Sequence, residues 1–221
     1  MKKPDPNYRL IVFDWDGTLM DSAAGIVTCI QEASREMGLP IPPHERARHV
    51  IGLGLQDSLR IAVPELAESD YAAFADLYRK HFLAQEVGMA LFPGVNELLR
   101  DLREAGYLLA VATGKSRRGL DRALAACKLQ SFFISSRCAD ETNPKPHPAM
   151  LNELMDELSH KPQELLMIGD TSHDLDMASS AGVDAVAVTY GAHAEDVLRA
   201  RSPKGLVTSI PELDAWLTAN G

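Results

Sequence analysis

The apolar residues of this chain come in short blocks whose period changes along its length. Leu10-Ile11-Val12-Phe13 is a continuous apolar run, and residues 8–13 read as a short buried strand. From about residue 21 the period becomes helical. Ile26, Val27, Ile30, Ala33, Ser34 and Met37 recur on one face, Asp21-Ser22 stands where an N-cap belongs, and Gly38-Leu39-Pro40 ends the run. Pro40-Ile41-Pro42-Pro43 is a turn. A second helical stretch covers roughly 44–62, interrupted at Gly52-Leu53-Gly54. A third covers about 69–86, with Phe74, Leu77, Tyr78 and Phe82 on one face. No strand-like run occurs between 21 and 88, so a helical block is inserted after the first strand.

Beyond Phe92-Pro93-Gly94 strand and helix alternate. Val95, Leu98, Leu99, Leu102 and Ala105 mark an amphipathic helix closed by Gly106. Strands are expected at 107–112, 132–135, 165–168 and 185–188, with Leu206-Val207 as the last. Helices are expected at 116–127, 148–158, 172–181 and 194–200. Such alternation predicts an α/β fold, a Rossmann-like parallel sheet with helices on both faces.

Composition narrows the function classes. The chain has 221 residues, enough for one domain with an insertion, and its 46% hydrophobic content suits a sizeable core. Net charge is −9, and the longest basic run is Arg117-Arg118, so no footprint for nucleic acid is present. Affinity for an anion must then be local. Lys2 and Lys3 precede only a four-residue apolar run, which is no signal peptide, and no stretch approaches a membrane span. Cys29, Cys127 and Cys138 are few, odd in number and without metal-ligand spacing. They read as buried thiols of a reduced, cytoplasmic protein.

Candidate chemistry lies where the strands end. In open α/β sheets the site lies beyond the carboxyl ends of the strands. The first strand is followed by Asp14 and Asp16, the one at 107–112 by Thr113-Gly114-Lys115-Ser116, and the one at 165–168 by Gly169-Asp170-Thr171-Ser172-His173-Asp174. Between the last two, Lys145 sits in the proline-stiffened loop Asn143-Pro144-Lys145-Pro146-His147-Pro148. Two acids at the end of a buried strand repel each other and call for a hard cation, of which Mg2+ is the natural candidate. A carboxylate can attack phosphorus. Thr113 and Gly114, a hydroxyl with backbone N–H groups at a helix start, fit the cradle of a phosphoryl group. Lys145 fits the neutralising cation, and Asp170 a third acid for the metal. Asp174 can hold Lys145 or a metal-bound water.

Other residues have plainer readings beside functional ones. Gly114-Lys115-Ser116 mimics the end of a P-loop, but the first glycine that motif needs would fall at Leu109, inside a strand. Lys115 contacts substrate or caps the rim. His173 reaches the inserted block or stays a surface imidazole. Gly52-Leu53-Gly54 approaches substrate or is a turn between helices. Trp15 fills the core, His147 opens a helix without catalytic work, and Asp176 is a helix-face charge.

The four segments resemble the four motifs of the haloacid dehalogenase superfamily of phosphohydrolases: DxDGT at 14–18, Thr-Gly at 113–114, Lys145 in Lys-Pro-x-Pro, and GDxxxD at 169–174. The helical insertion resembles the small cap of the subfamily that includes phosphoglycolate phosphatases. The resemblance implies an α/β core at 1–19 and 89–221 and a helical cap at 20–88. It implies Asp14 as nucleophile, Asp16 as general acid and then base, and Mg2+ held by Asp14, Asp170 and the backbone carbonyl of Asp16. The implied partner is a small phosphorylated metabolite such as phosphoglycolate, acted on by a monomer or homodimer. An acid at 16 favours rapid hydrolysis of a phosphate ester. The alternatives are a phosphomutase of the same fold and a non-catalytic module that keeps the fold.

Overall fold

A strand that is apolar at every position must be covered on both faces, and β1 (Leu10–Phe13) is such a strand, buried throughout. A computed structural model describes residues 7–85 and 88–220; Lys2, Lys3 and the expected helix end at 86 lie outside them. β1 pairs in parallel with β2 (Leu108–Thr113) on one side and β4 (Leu165–Gly169) on the other. Adding β3 (Ser135–Cys138), β5 (Asp184–Val188) and β6 (Gly205–Val207) gives a six-stranded sheet in the order β3-β2-β1-β4-β5-β6, parallel at every pairing.

Alternation along the strands divides the core in two. Ile11, Phe13, Leu109, Val111, Ile168 and Val186 face one apolar cluster. It is completed by α5 (Val95–Ala105), α6 (Arg117–Cys127) and α10 (Ile210–Asn220). Leu10, Val12, Ala110, Met167, Ala185 and Ala187 face the other. There α7 (Ala149–Leu158), α8 (Ser172–Ala181) and α9 (Glu195–Arg199) pack against them. Val95, Leu98, Leu99 and Leu102 of α5 are all buried, at about 1.5–3 kcal/mol each before the entropy cost of ordering.

The insertion between β1 and α5 is helical among the described residues: α1 (Ala23–Glu36), α2 (His44–His49), α3 (Leu55–Ala62) and α4 (Tyr71–Gln85). It encloses its own apolar cluster, with Ile26, Ile30, Leu59, Phe74 and Phe82 at the centre. Gly52-Leu53-Gly54 breaks α2 from α3, as expected from its glycines, and Gly52 takes φ +91°.

Three expectations are corrected. The strand expected at 132–135 is instead β3 at Ser135–Cys138. Phe132 closes a turn onto the Leu129 carbonyl, and Ile134 is exposed. β3 is an edge strand paired only with β2, so it can be polar, and Arg137 at its centre pairs with Glu153 and Glu157 of α7. A helix, α10, follows the last strand, where no element was expected. Ser22 occupies the N-cap position of α1 but its hydroxyl makes no capping bond. It donates to the Asp16 carboxylate at 2.7 Å instead.

Candidate active site

The ends of β1 and β4 and the loop before α7 bring the acids and the lysine together. Asp14 continues the ladder past β1, its N–H donating to the Ile168 carbonyl at 2.9 Å. Lys145 is fully buried, with its Nζ 2.7 Å from Asp14 Oδ1 and 2.6 Å from Asp174 Oδ1. Asp174 is fixed by the start of its own helix. Its Oδ2 accepts the Thr171 N–H at 3.0 Å and the Thr171 hydroxyl at 2.7 Å, and its N–H donates back to Thr171 Oγ1 at 3.3 Å. This reciprocal cap leaves Oδ1 for the lysine. Asp170 accepts the Thr18 hydroxyl at 2.7 Å and the Ala192 N–H at 2.6 Å. Gly17 has φ +85°, and a Cβ there would run into the Asp170 carboxylate, so glycine is required twice over.

Electrostatically this cluster is incomplete. Oxygens of Asp14, Asp170 and Asp174 lie within 4.8 Å of one another, all three acids are buried, and Lys145 supplies one positive charge among them. Burial raises the Asp14 pKa well above the usual carboxylate range. Lys145 opposes the rise, while Asp174 and Asp170 add to it. Asp170 is pushed up from 3.8 to about 7, chiefly by burial and then by the Asp174 charge. Burial alone would lower the Lys145 pKa, but Asp14 and Asp174 override it and hold the ammonium protonated. Asp14 Oδ1 lies against the Lys145 ammonium, while Oδ2 is buried with neither a hydrogen-bond donor nor an ion-pair partner. An orphaned, hard oxygen atom among uncompensated acids fits a divalent cation such as Mg2+.

Asp16 faces another way. Its Oδ1 takes the Ser22 hydroxyl and lies 3.0 Å from Lys115 Nζ, which also sits 4.6 Å from the centre of the Phe82 ring of α4. Thr113 is buried, and its Oγ1 accepts the Lys115 N–H at 3.2 Å. Gly114 lies directly beneath the insertion: a Cβ on it would come within 2.6 Å of the Gly52 carbonyl oxygen. A cavity of about 330 Å3 opens over Asp16, Gly114 and Lys115, walled by α1, α3 and α4; Asp14 and Lys145 are not among its lining residues.

The expected residues therefore fall into two groups. Asp14, Lys145, Asp170 and Asp174 form one buried cluster, while Asp16 and Gly114 line the cavity beneath the insertion and Thr113 is buried at the end of β2. Lys115 is bound to Asp16 rather than left on the rim. His173 does reach the insertion: its Nε2 donates to the His49 carbonyl at 2.8 Å, and His193 Nε2 donates to the same oxygen at 3.0 Å. The three imidazoles cluster, but His193 Nδ1 also accepts the Ser172 N–H at 3.0 Å. Both its nitrogens are in use, so the trio anchors the insertion to the core and does not form a metal centre. Trp15 is buried in the core and His147 sits at the start of α7, as expected. Sequence reasoning missed Thr18, Ser22, Ala192 and His193. Thr18 lay inside the first motif without a role, whereas the Ala192 N–H leaves no trace in side-chain patterns.

The family model of haloacid dehalogenase-like hydrolases matches residues 11–188, which is most of the chain. The chain belongs to this family. "Probable phosphatase IndB" of Dickeya dadantii is 38% identical over 210 residues, covering 92% of this chain and 91% of that protein. "Tyrosine-protein kinase PtkA" of Mycobacterium tuberculosis is 36% identical over 192 residues, covering 85% of this chain and 64% of that longer protein. A crystal structure of a predicted phosphoglycolate phosphatase from Haemophilus somnus superposes with a TM-score of 0.82 at 26% identity, covering 94% of this chain and 96% of that one. This member of the hydrolase family is thus an enzyme of the phosphatase type, similar to phosphoglycolate phosphatases. No helix among the described residues is long and apolar enough to cross a membrane.

Proposed function

We propose that this phosphatase hydrolyses small organic phosphate monoesters through a phosphoaspartate on Asp14. The carrying observation is Asp14 itself, a buried carboxylate at a strand end whose Oδ2 has neither a hydrogen-bond donor nor an ion-pair partner, next to a buried ammonium. A structural carboxylate in that position would be capped or neutralised. In the first step an Asp14 oxygen bonds to phosphorus and the ester P–O bond breaks, while Asp16 gives its proton to the departing alcohol oxygen. In the second, Asp16 takes a proton from water, the water oxygen bonds to phosphorus, and the acyl-phosphate bond breaks to release inorganic phosphate and free Asp14. Thr113 and the backbone at Gly114 hold the non-bridging oxygens. Lys145 offsets the charge on Asp14 and is oriented by Asp174. Asp14, Asp170 and the Asp16 carbonyl would hold Mg2+, which supplies further neutralisation of the phosphoryl charge.

In this reading residues 1–19 and 89–221 are the catalytic core and 20–88 a cap that excludes bulk water. The separate apolar cluster of α1–α4 supports that division. Three free thiols are compatible with a reduced, cytoplasmic setting.

The test is phosphate release from a panel of esters with Mg2+ and with EDTA, on the native protein and Asp14→Asn. Metal-dependent release that falls by about 10⁴ or more in the variant is expected. Retained turnover in Asp14→Asn would refute the mechanism. The kinase among the relatives makes transfer to protein hydroxyls a rival outcome, read as labelled protein without free phosphate. A rearranged sugar phosphate without free phosphate would mark a mutase.

A further inference from the structure

The cavity above Asp16 is the part of the site that no motif describes. Its walls include the insertion's Ile26, Ile30, Leu59, Phe74, Tyr78 and Phe82, an apolar and aromatic stretch, while Ser58 of the insertion and Ser116 and Arg122 beside Gly114 add polar groups to the lining. Its floor is Asp16, Gly114 and Lys115. Lys115 is already engaged by Asp16 and by the Phe82 ring. The remaining cations of the lining include Arg79 and Arg118, which are exposed, and Arg79 is paired with Asp76. The volume, about 330 Å3, is in the range that encloses a ligand of many heavy atoms. A two-carbon carboxylate such as glycolate would leave most of it empty and the apolar stretch between α1 and α4 uncovered.

We infer that the cavity is the leaving-group pocket and that the preferred substrates are phosphate monoesters of alcohols bearing a flat apolar or aromatic ring. This rests on the phosphatase reading and narrows its substrate class. The phosphoryl group sits over Asp14, the alcohol oxygen at Asp16, and the ring between α1 and α4, with Phe82 and Tyr78 as flat partners. Arg118 at the exposed part of the lining is available to polar substituents on the ring.

The experiment compares kcat/KM for benzyl phosphate, methyl phosphate and phosphoglycolate with Mg2+, choosing benzyl phosphate because its alcohol is not chemically activated. Burial of the ring is expected to favour benzyl phosphate over both others by about thirtyfold. Benzylphosphonate is expected to compete more tightly than methylphosphonate by about the same factor, a readout that needs no turnover. Ala75→Phe, at a small residue of α4 in the lining, should fill the cavity and bring both ratios to within about threefold of one. Phosphoglycolate hydrolysed as well as or better than benzyl phosphate would overturn the inference and leave the phosphatase reading standing. Equal inhibition by the two phosphonates would overturn it as well, whatever the folding of the variant. No phosphate released from any ester, with no labelling of Asp14, would remove the phosphatase reading and this inference with it.

Discussion

Replacing Asp170 with asparagine should make the metal-free protein more stable, and the gain should depend on pH. Asp170 is fully buried, and its carboxyl is pushed from 3.8 to about 7. An acid whose folded pKa is raised holds its proton more tightly in the fold than in the unfolded chain. Its contribution is therefore fully favourable below pH 3.8 and is lost as pH rises through about 7. At about 1.4 kcal/mol per pH unit, ionised Asp170 costs the metal-free fold about 4 kcal/mol at pH 8. Asparagine keeps an oxygen for the Thr18 hydroxyl but turns an amide against the Ala192 N–H or loses that bond, which takes back about 1–2 kcal/mol. The net expectation for Asp170→Asn without metal is a gain of about 2–3 kcal/mol at pH 8, falling toward zero or below at pH 4–5. The assay is urea denaturation of both proteins in EDTA between pH 5 and 8, then in Mg2+. Taking the difference between the two proteins removes the titrations they share. With Mg2+ the order should reverse, because the native carboxylate then binds the ion and the variant does not. A difference that is flat with pH in EDTA, or unchanged by Mg2+, would refute the claim that these acids lack a countercharge.

Ser22→Ala removes the hydroxyl that holds Asp16 and should lower both stability, by about 1 kcal/mol, and kcat; unchanged kcat would mean that Lys115 alone orients the acid. Gly114→Ala puts a methyl group within 2.6 Å of the Gly52 carbonyl. It should lift the insertion off the core, cost about 1–3 kcal/mol in denaturation and raise KM for every ester. Phe82→Leu takes the ring from beneath Lys115 and should slow kcat about threefold to tenfold, with Phe82→Tyr restoring it. Equal losses in the two variants would make the effect one of packing only.

The polar ends of β1, β2 and β4 could be read from sequence because a parallel sheet forces its loops to one rim and its strands to be apolar. Asp14, Thr113 and Asp170 stand immediately beyond, or at the last residue of, runs that are buried on both faces. The strand at 135–138 could not be found that way. Its residues are Ser-Ser-Arg-Cys, and the apolar Phe132-Phe133-Ile134 just before it carries the stronger signal while lying in a turn. Backbone pairing to β2 decides the matter, and pairing is invisible in one sequence. Helix α10 is different, since Ile210, Leu213 and Leu217 had helical spacing and are buried; the pattern was there to be used. Ser22 had the right identity and place for a cap. Its hydroxyl proton is given to Asp16, and its oxygen accepts none of the N–H groups in the first turn of α1.

The same contrast separates the two halves of the site. Asp14, Thr113 and Asp170 are fixed by strand ends, where the parallel topology itself brings them to one rim. Residues that wall the cavity come from α1, α3 and α4, whose apolar faces also build the interior of the insertion, so a wall of the cavity and a member of the core look alike in sequence. Ile26, Leu59, Phe74 and Phe82 are both at once. Asp16 joins the halves. It is held from one side by Ser22 at the start of α1 and from the other by Lys115, whose ammonium rests on Phe82 of α4. In the proposed mechanism the acid that protonates the leaving oxygen is thus oriented by the helices that wall the cavity. A substrate that packs well between α1 and α4 steadies the pair that positions Asp16, and one that leaves the cavity loose does not. Discrimination should for that reason appear in kcat as well as in KM, as expected when binding energy remote from the reacting bond is expressed at the transition state.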